Sequence, residues 1–219
     1  SSSAPVAMAL GGSFLVVEQF GRFDDKGDFI TGDVPPRIVI QDLASGATKT
    51  LRLAAQRRGR EQWAQHSGPF AVALSGEAIA LMFQAGRGDP HIHPRILRSE
   101  VAVVRPDGSL LRRIQGGAPV RFLSTGELAI EDQSAFPVPL DAISLETGAR
   151  RRLLTVPSRS FDLSAGGRLV YMEYEKEGKA VWVWDAGGSP RRLTDGEFPA
   201  LAADGSRVAF GRRGPDRYK

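Results

Sequence analysis

Short apolar bursts in the stretch Ser160–Leu193 are separated by tight glycine turns and one charged gap. The run Ser160-Phe161-Asp162-Leu163 leads through Ser164-Ala165-Gly166-Gly167 into Arg168-Leu169-Val170-Tyr171-Met172. After the gap come Val181-Trp182-Val183-Trp184, the turn Asp185-Ala186-Gly187-Gly188, and Pro190-Arg191-Arg192-Leu193. Bursts of this length, rich in β-branched and aromatic residues and bounded by Gly, Ser and Asp, predict strands. Four consecutive strands are expected, at 159–163, 168–174, 180–184 and 190–194.

The same pattern recurs along the chain. A second-hairpin turn follows an apolar burst at Ile38–Gly46, Val101–Gly108, Ala142–Gly148 and Val181–Gly188. The turn glycines Gly46, Gly108, Gly148 and Gly188 are 62, 40 and 40 residues apart by position. A first hairpin with a glycine tip occurs five times, at Leu10–Val17, Leu74–Leu81, Leu123–Ile130, Leu163–Tyr171 and Leu201–Phe210. Asp-Gly and Gly-Gly tips supply the positive φ that tight hairpins need. A repeat of about 40–45 residues built from four short strands is one blade of a β-propeller. The predicted fold is therefore all-β, a β-propeller of four-stranded antiparallel blades, about four and a half blades in one domain over 1–219. The blades are expected at 4–53, 69–114, 118–154 and 159–194, with a partial one at 197–212. The partial blade leaves a strand edge that another chain or further sequence would cover. The stretch 54–66 lacks an apolar stripe of helical period and contains Gly59, so it reads as a loop.

Charge changes this picture only at the edges. The net charge is +4, and arginine comes in runs at 57–58, 112–113, 150–152, 191–192 and 212–213. Three of the runs fall on the fourth, outermost strand of a predicted blade, where charge discourages edge-to-edge pairing. They are read as edge protection, and no nucleic-acid partner is expected. The chain has no cysteine, which excludes disulfides and thiolate metal sites. No apolar run approaches the length of a membrane helix, so no transmembrane segment is expected. The small polar start Ser1-Ser2-Ser3-Ala4-Pro5 suits a mature exported N-terminus.

The phrases Leu163-Ser164-Ala165-Gly166-Gly167-Arg168-Leu169-Val170-Tyr171, Val181-Trp182-Val183-Trp184-Asp185 and Pro190-Arg191-Arg192-Leu193-Thr194 resemble the TolB-like, WD-repeat-like propellers. Residues 160–210 carry the likeness well; residues 4–154 share its outline and lack Pro and Asp at the first three hairpin tips. The resemblance implies a periplasmic or secreted protein that binds a protein or peptide without catalysis. Similar propellers also gate prolyl-oligopeptidase-type peptidases, which leaves a regulatory propeller fragment as an alternative.

In a propeller the first-to-second and third-to-fourth turns share one face, and the remaining connections share the other. Every turn of the first kind is short. The long connections, 20–35, 54–68, 85–97 and 131–138, are all of the second kind. Drift in loop length would scatter over both faces, so the second face is the expected partner-binding face. Its candidate contacts are Phe23, Asp24, Arg57, Trp63, Arg87 and Phe136. The stretch Phe23–Phe29 resembles a calcium loop but lacks the alternating acids and the terminal Glu.

Candidate chemistry is confined to three histidines. His91 and His93 form a His-x-His pair whose imidazoles point to one side of an extended chain, with Asp89 beside them. His66 enters the same blade. Three imidazoles could hold a divalent transition metal and activate a water, giving a second alternative, a metal-dependent propeller enzyme. No cofactor is otherwise expected. There is no Gly-x-Ser-x-Gly elbow, phosphate loop or dinucleotide fingerprint.

Overall fold

A computed structural model describes residues 5–11, 14–19, 22–23, 29–30, 37–51, 60, 63–73, 75–87, 95–132, 134–176, 178–202 and 204–212. The described chain is all strand and turn. It divides into two compact units, residues 1–119 and 120–219.

The first unit holds two four-stranded antiparallel sheets. One runs β1 (Pro5–Gly11), β2 (Phe14–Gln19), β5 (Arg37–Asp42) and β6 (Thr48–Leu51) in that order. A two-stranded ribbon, β3 (Arg22–Phe23) and β4 (Phe29–Ile30), lies in the connection between β2 and β5. The other sheet runs β7 (Trp63–Val72), β8 (Ile79–Arg87), β9 (Arg95–Val104) and β10 (Leu110–Gln115). Val16, Ile38, Ile40 and Leu51 of the first sheet pack on Ile79, Leu81, Phe83, Ala102 and Val104 of the second. Strand β8 is buried on both faces and reads as an almost unbroken apolar run.

The second unit continues the pattern. Its sheets are β11 (Ala118–Phe122), β12 (Glu127–Glu131), β13 (Val138–Ser144), β14 (Arg150–Val156), and then β15 (Phe161–Leu163), β16 (Leu169–Glu175), β17 (Gly178–Trp184), β18 (Arg191–Asp195). The hairpin β19 (Glu197–Leu201) and β20 (Val208–Gly211) follows. Each four-stranded sheet is a meander in sequence order, the plan expected of a blade. Ala129, Val138, Leu140 and Val156 meet Leu163, Leu169 and Tyr171, with Trp182 and Trp184 half-buried against them. On the other face of the same sheet, Val170 and Val183 meet Leu201 and Val208.

Two departures from the sequence reading are physical. The stretch 54–68 reads as a loop, yet β7 begins at Trp63 and includes His66, which pairs with Phe83. The four steps from His66 to Phe70 face two steps from Phe83 to Leu81, so a bulge absorbs the extra residues. Gly68 and Pro69, which break a regular strand pattern, sit inside it, where a missing backbone N–H costs little. Likewise β8 extends through Arg87 and β9 starts at Arg95, so the connection expected over 85–97 spans only 88–94.

The arginine runs do lie on the outer strands β10, β14 and β18, and they also reach inward. Arg113 and Arg98 pair with the buried Glu100. Arg150 and Arg152 pair with the buried Asp141, and Arg151 holds Glu127. These are clamps between outer and inner strands as well as edge charges.

Candidate functional site

A cleft of the second unit lies where the chain crosses from the outer strand β18 to the inner strand β19. It has a volume of about 840 Å³. Its walls come from the β16–β17 connection, the end of β18, the start of β19 and Arg212 after β20. These are second-to-third and fourth-to-first connections, the kind expected to display a partner face.

The local sequence explains the cleft. Glu173-Tyr174-Glu175-Lys176 carries β16 past its apolar part, and Gly178, at φ 144°, turns the chain into β17. Tyr174 and Lys179 are direct cross-strand partners, so their side chains share a face. At the crossover, a Cβ on Gly196 would lie 2.8 Å from the Phe210 ring and 2.9 Å from the Gly211 carbonyl oxygen. Only glycine lets the chain pass so close to β20, and the Gly196 amide donates back to the Lys179 carbonyl at 2.9 Å.

Phe198 is the unusual residue of the site. Its φ is 54°, the only positive φ among the described non-glycine residues. A bulky residue in this region costs of the order of 1–3 kcal/mol and persists only where its surroundings hold it. The pairing of β19 with β20 is irregular between Glu197 and Ala200, and this irregularity throws the Phe198 ring outward, 68% exposed. Tyr174 is 74% exposed. The Lys179 ammonium lies 5.5 Å from the Tyr174 ring centre and 5.6 Å from that of Phe198, and is ion-paired with Glu197. A cation seated between two rings is favoured by their quadrupoles and holds both in place. The third highly exposed aromatic of the described residues, Phe136 at 65%, lies in the β12–β13 connection, at the corresponding end of the neighbouring sheet.

Charged groups line the remainder. Arg192 donates to both oxygens of Glu175 at 3.1–3.2 Å and also to Asp195. Hydrogen bonds donated to Glu175, then to Asp195, raise its already high pKa, so the guanidinium stays charged. Arg212 donates to the Thr194 hydroxyl at 3.2 Å, with its guanidinium 5.5 Å from the Phe210 ring centre.

At the opposite end of the same sheets, the turns at 123–125 and 165–167 border a smaller crevice of about 170 Å³, lined by Leu123, Leu153, Leu154 and Trp184.

The residues picked from sequence fare unequally. Phe136 is exposed, in the connection between β12 and β13. Arg87 ends β8 rather than standing in a loop, and its Nε donates to the Arg60 carbonyl at 2.7 Å. Phe23, Trp63 and His66 are placed on strands β3 and β7. Asp24, Arg57, Asp89, His91 and His93 lie outside the described residues. The structure thus brings no metal-ligating group together among the described residues. Sequence reading missed Tyr174, Lys179 and Phe198. Tyr174 and Lys179 stood in a charged gap, and nothing in the sequence marks the backbone of Phe198.

Comparison with solved structures agrees with the sheet order. No protein-family model and no curated protein matches the chain. TolB from Acinetobacter baumannii is similar over 97% of this chain and 50% of its own, with TM-score 0.61 and 15% identity. A putative TolB from Agrobacterium tumefaciens is similar over 96% of this chain and 70% of its own, with TM-score 0.60 and 13% identity. The β-propeller domain of the trilobed protease from Pyrococcus furiosus covers all of this chain with 66% of its own length, with TM-score 0.54 and 11% identity. The chain thus has a TolB-like β-propeller fold, and it spans about half the length of the first of these structures.

Proposed function

We propose that this propeller is a recognition module that binds a protein or peptide, without catalysis, through the cleft between β18 and β19 and the aromatic side chains around it. The observation that carries this reading is Phe198, a bulky side chain held in a left-handed backbone conformation and left in solvent. An exposed ring contributes little to a core, so folding alone does not reward the strain; backbone strain of this kind clusters at ligand sites. Tyr174 opposite, with Lys179 fixed between them, completes a surface of the composition that dominates binding energy at protein interfaces. A TolB-like fold supports the reading, as does the placement of the site on the connections expected to face a partner. On the same resemblance, the protein is assigned to the periplasm or the exterior; no helix of the described residues is long and apolar enough to cross a membrane.

The alternative of a regulatory propeller rests on the likeness to a protease's propeller domain. It uses the same face and differs only in the partner being a domain of the same protein.

Panning a displayed random-peptide library on the protein tests the reading. Selected peptides are expected to lose binding to Tyr174→Ala and Phe198→Ala and to keep it with Leu110→Ala, an exposed apolar residue elsewhere. Selected peptides indifferent to both aromatic substitutions would overturn it.

A further inference from the structure

The charges of the cleft do not cancel locally. Among its lining residues, Glu175 and Asp195 are both engaged by Arg192, and Glu197 by Lys179. Lys176 and Arg212 make no ion pair with any described residue. Arg212 spends one donor on Thr194 and rests its guanidinium plane against Phe210, so the fork is oriented but its charge is unmatched by any described carboxylate. Two cations at the rim and two exposed rings beside them make a two-part surface, one part for anions and one for apolar groups.

We propose that the occupant of this cleft is an acidic peptide segment, its carboxylates on Lys176 and Arg212 and an apolar or aromatic side chain against Tyr174 and Phe198. This rests on the binding-module reading and specifies its ligand. Carboxylates suit the site because a guanidinium fork presents paired donors to them, and because a basic rim would repel a basic segment. The three acids of the cleft share two cations, Arg192 and Lys179, so with Lys176 and Arg212 added the lining keeps a surplus of one positive charge, four cations against three acids.

Fluorescence anisotropy with labelled synthetic peptides tests the proposal. The probe is a short peptide of Asp, Glu and Ser with two Phe; its counterparts replace the acids by Lys, or the Phe by Ser. A uronate oligosaccharide of equal charge is the fourth probe. The acidic, Phe-containing peptide is expected to bind, with affinity falling as salt rises. The Lys counterpart is expected to bind at least about tenfold more weakly, as like charges are brought together. Lys176→Glu and Arg212→Glu should each weaken the acidic peptide by about two- to fivefold, the scale of one exposed ion pair. Both residues are exposed, so the variants keep their melting temperature. Equal binding of the Lys peptide, indifference to both charge reversals, or binding of the oligosaccharide alone would overturn the proposal. Should library peptides depend on Tyr174 and Phe198 yet carry no acidic bias, the acidic-ligand inference fails and the binding module stands. If no selected peptide depends on those residues, the module reading itself fails.

Discussion

Asp162 joins three inner strands through one carboxylate. Its Oδ1 accepts from Arg121 Nη2 at 2.9 Å and from the Leu163 amide at 2.8 Å; its Oδ2 accepts from the Leu201 amide at 2.8 Å. Arg121 also donates to the Leu163 carbonyl. Strands β11, β15 and β19 are thus locked in register by side-chain bonds where no ladder connects them. Removing the carboxylate leaves a partly buried guanidinium and an amide without their acceptor, so Asp162→Ala should cost about 2–3 kcal/mol in urea unfolding; a loss below about 0.5 kcal/mol would show that water replaces the bonds. Phe198 gives the opposite expectation. Glycine adopts positive φ freely, so Phe198→Gly should leave stability unchanged or raise it by up to about 1 kcal/mol, while abolishing peptide binding. A stability loss above about 1 kcal/mol would assign the ring a packing role instead.

At the scale of strands, β17 shows what alternation means inside a blade. Ala180, Val181 and Val183 are buried, whereas Trp182 and Trp184 are half-buried, not enclosed as the sequence pattern of Val181-Trp182-Val183-Trp184 suggests. The Trp182 ring stacks on Tyr171, with centres 6.5 Å apart, and Trp184 Nε1 donates to the Gly188 carbonyl at 2.9 Å. Trp184→Ala should therefore lower stability by about 3 kcal/mol, the low end for a large aromatic, read as a fall in thermal midpoint. Strand identity was legible here because the apolar bursts and the turns at Gly46, Gly108, Gly126, Gly148 and Gly205 all point the same way, and each of these glycines has positive φ. It failed at Trp63–Val72, since Gln65, His66, Ser67, Gly68 and Pro69 give no apolar period and the bulge that makes them a strand is set by pairing with β8. The site was less legible than the fold. Loop length pointed to the long connections of the second kind, whereas the described cleft forms at short ones, around Lys176 and Gly196, where Tyr174 and Lys179 meet only through their cross-strand register. A backbone angle such as that of Phe198 has no sequence signature, because phenylalanine is not a residue that prefers it.

Across the whole molecule, buried carboxylates couple stability to pH. Burial pulls the Asp141 carboxyl up, but hydrogen bonds from Arg152 and Arg150 outweigh it and hold its pKa below the ordinary value. Glu127 is held low by Arg151 in the same way. A carboxylate depressed in the folded state contributes stability that is complete above its unfolded pKa, about 4, and is lost as pH falls through the lower folded value. The melting temperature should thus be level from neutral pH to about 5 and fall steeply below about 4, with the acid-side fall shallower in Asp141→Asn. An unchanged acid-side slope in that variant would remove Asp141 from the account.

The central claim is that this propeller recognises a partner at the end of its blades carrying the β16–β17 and β18–β19 connections. Hydrogen–deuterium exchange on the intact protein, with and without a library-selected peptide, measures it directly. Binding should slow exchange at 174–179 and 195–198 and leave the turns at 124–126, 165–167 and 186–188 unchanged. Slower exchange at those turns, with 174–179 and 195–198 unaffected, would place the partner on the opposite end and contradict the account.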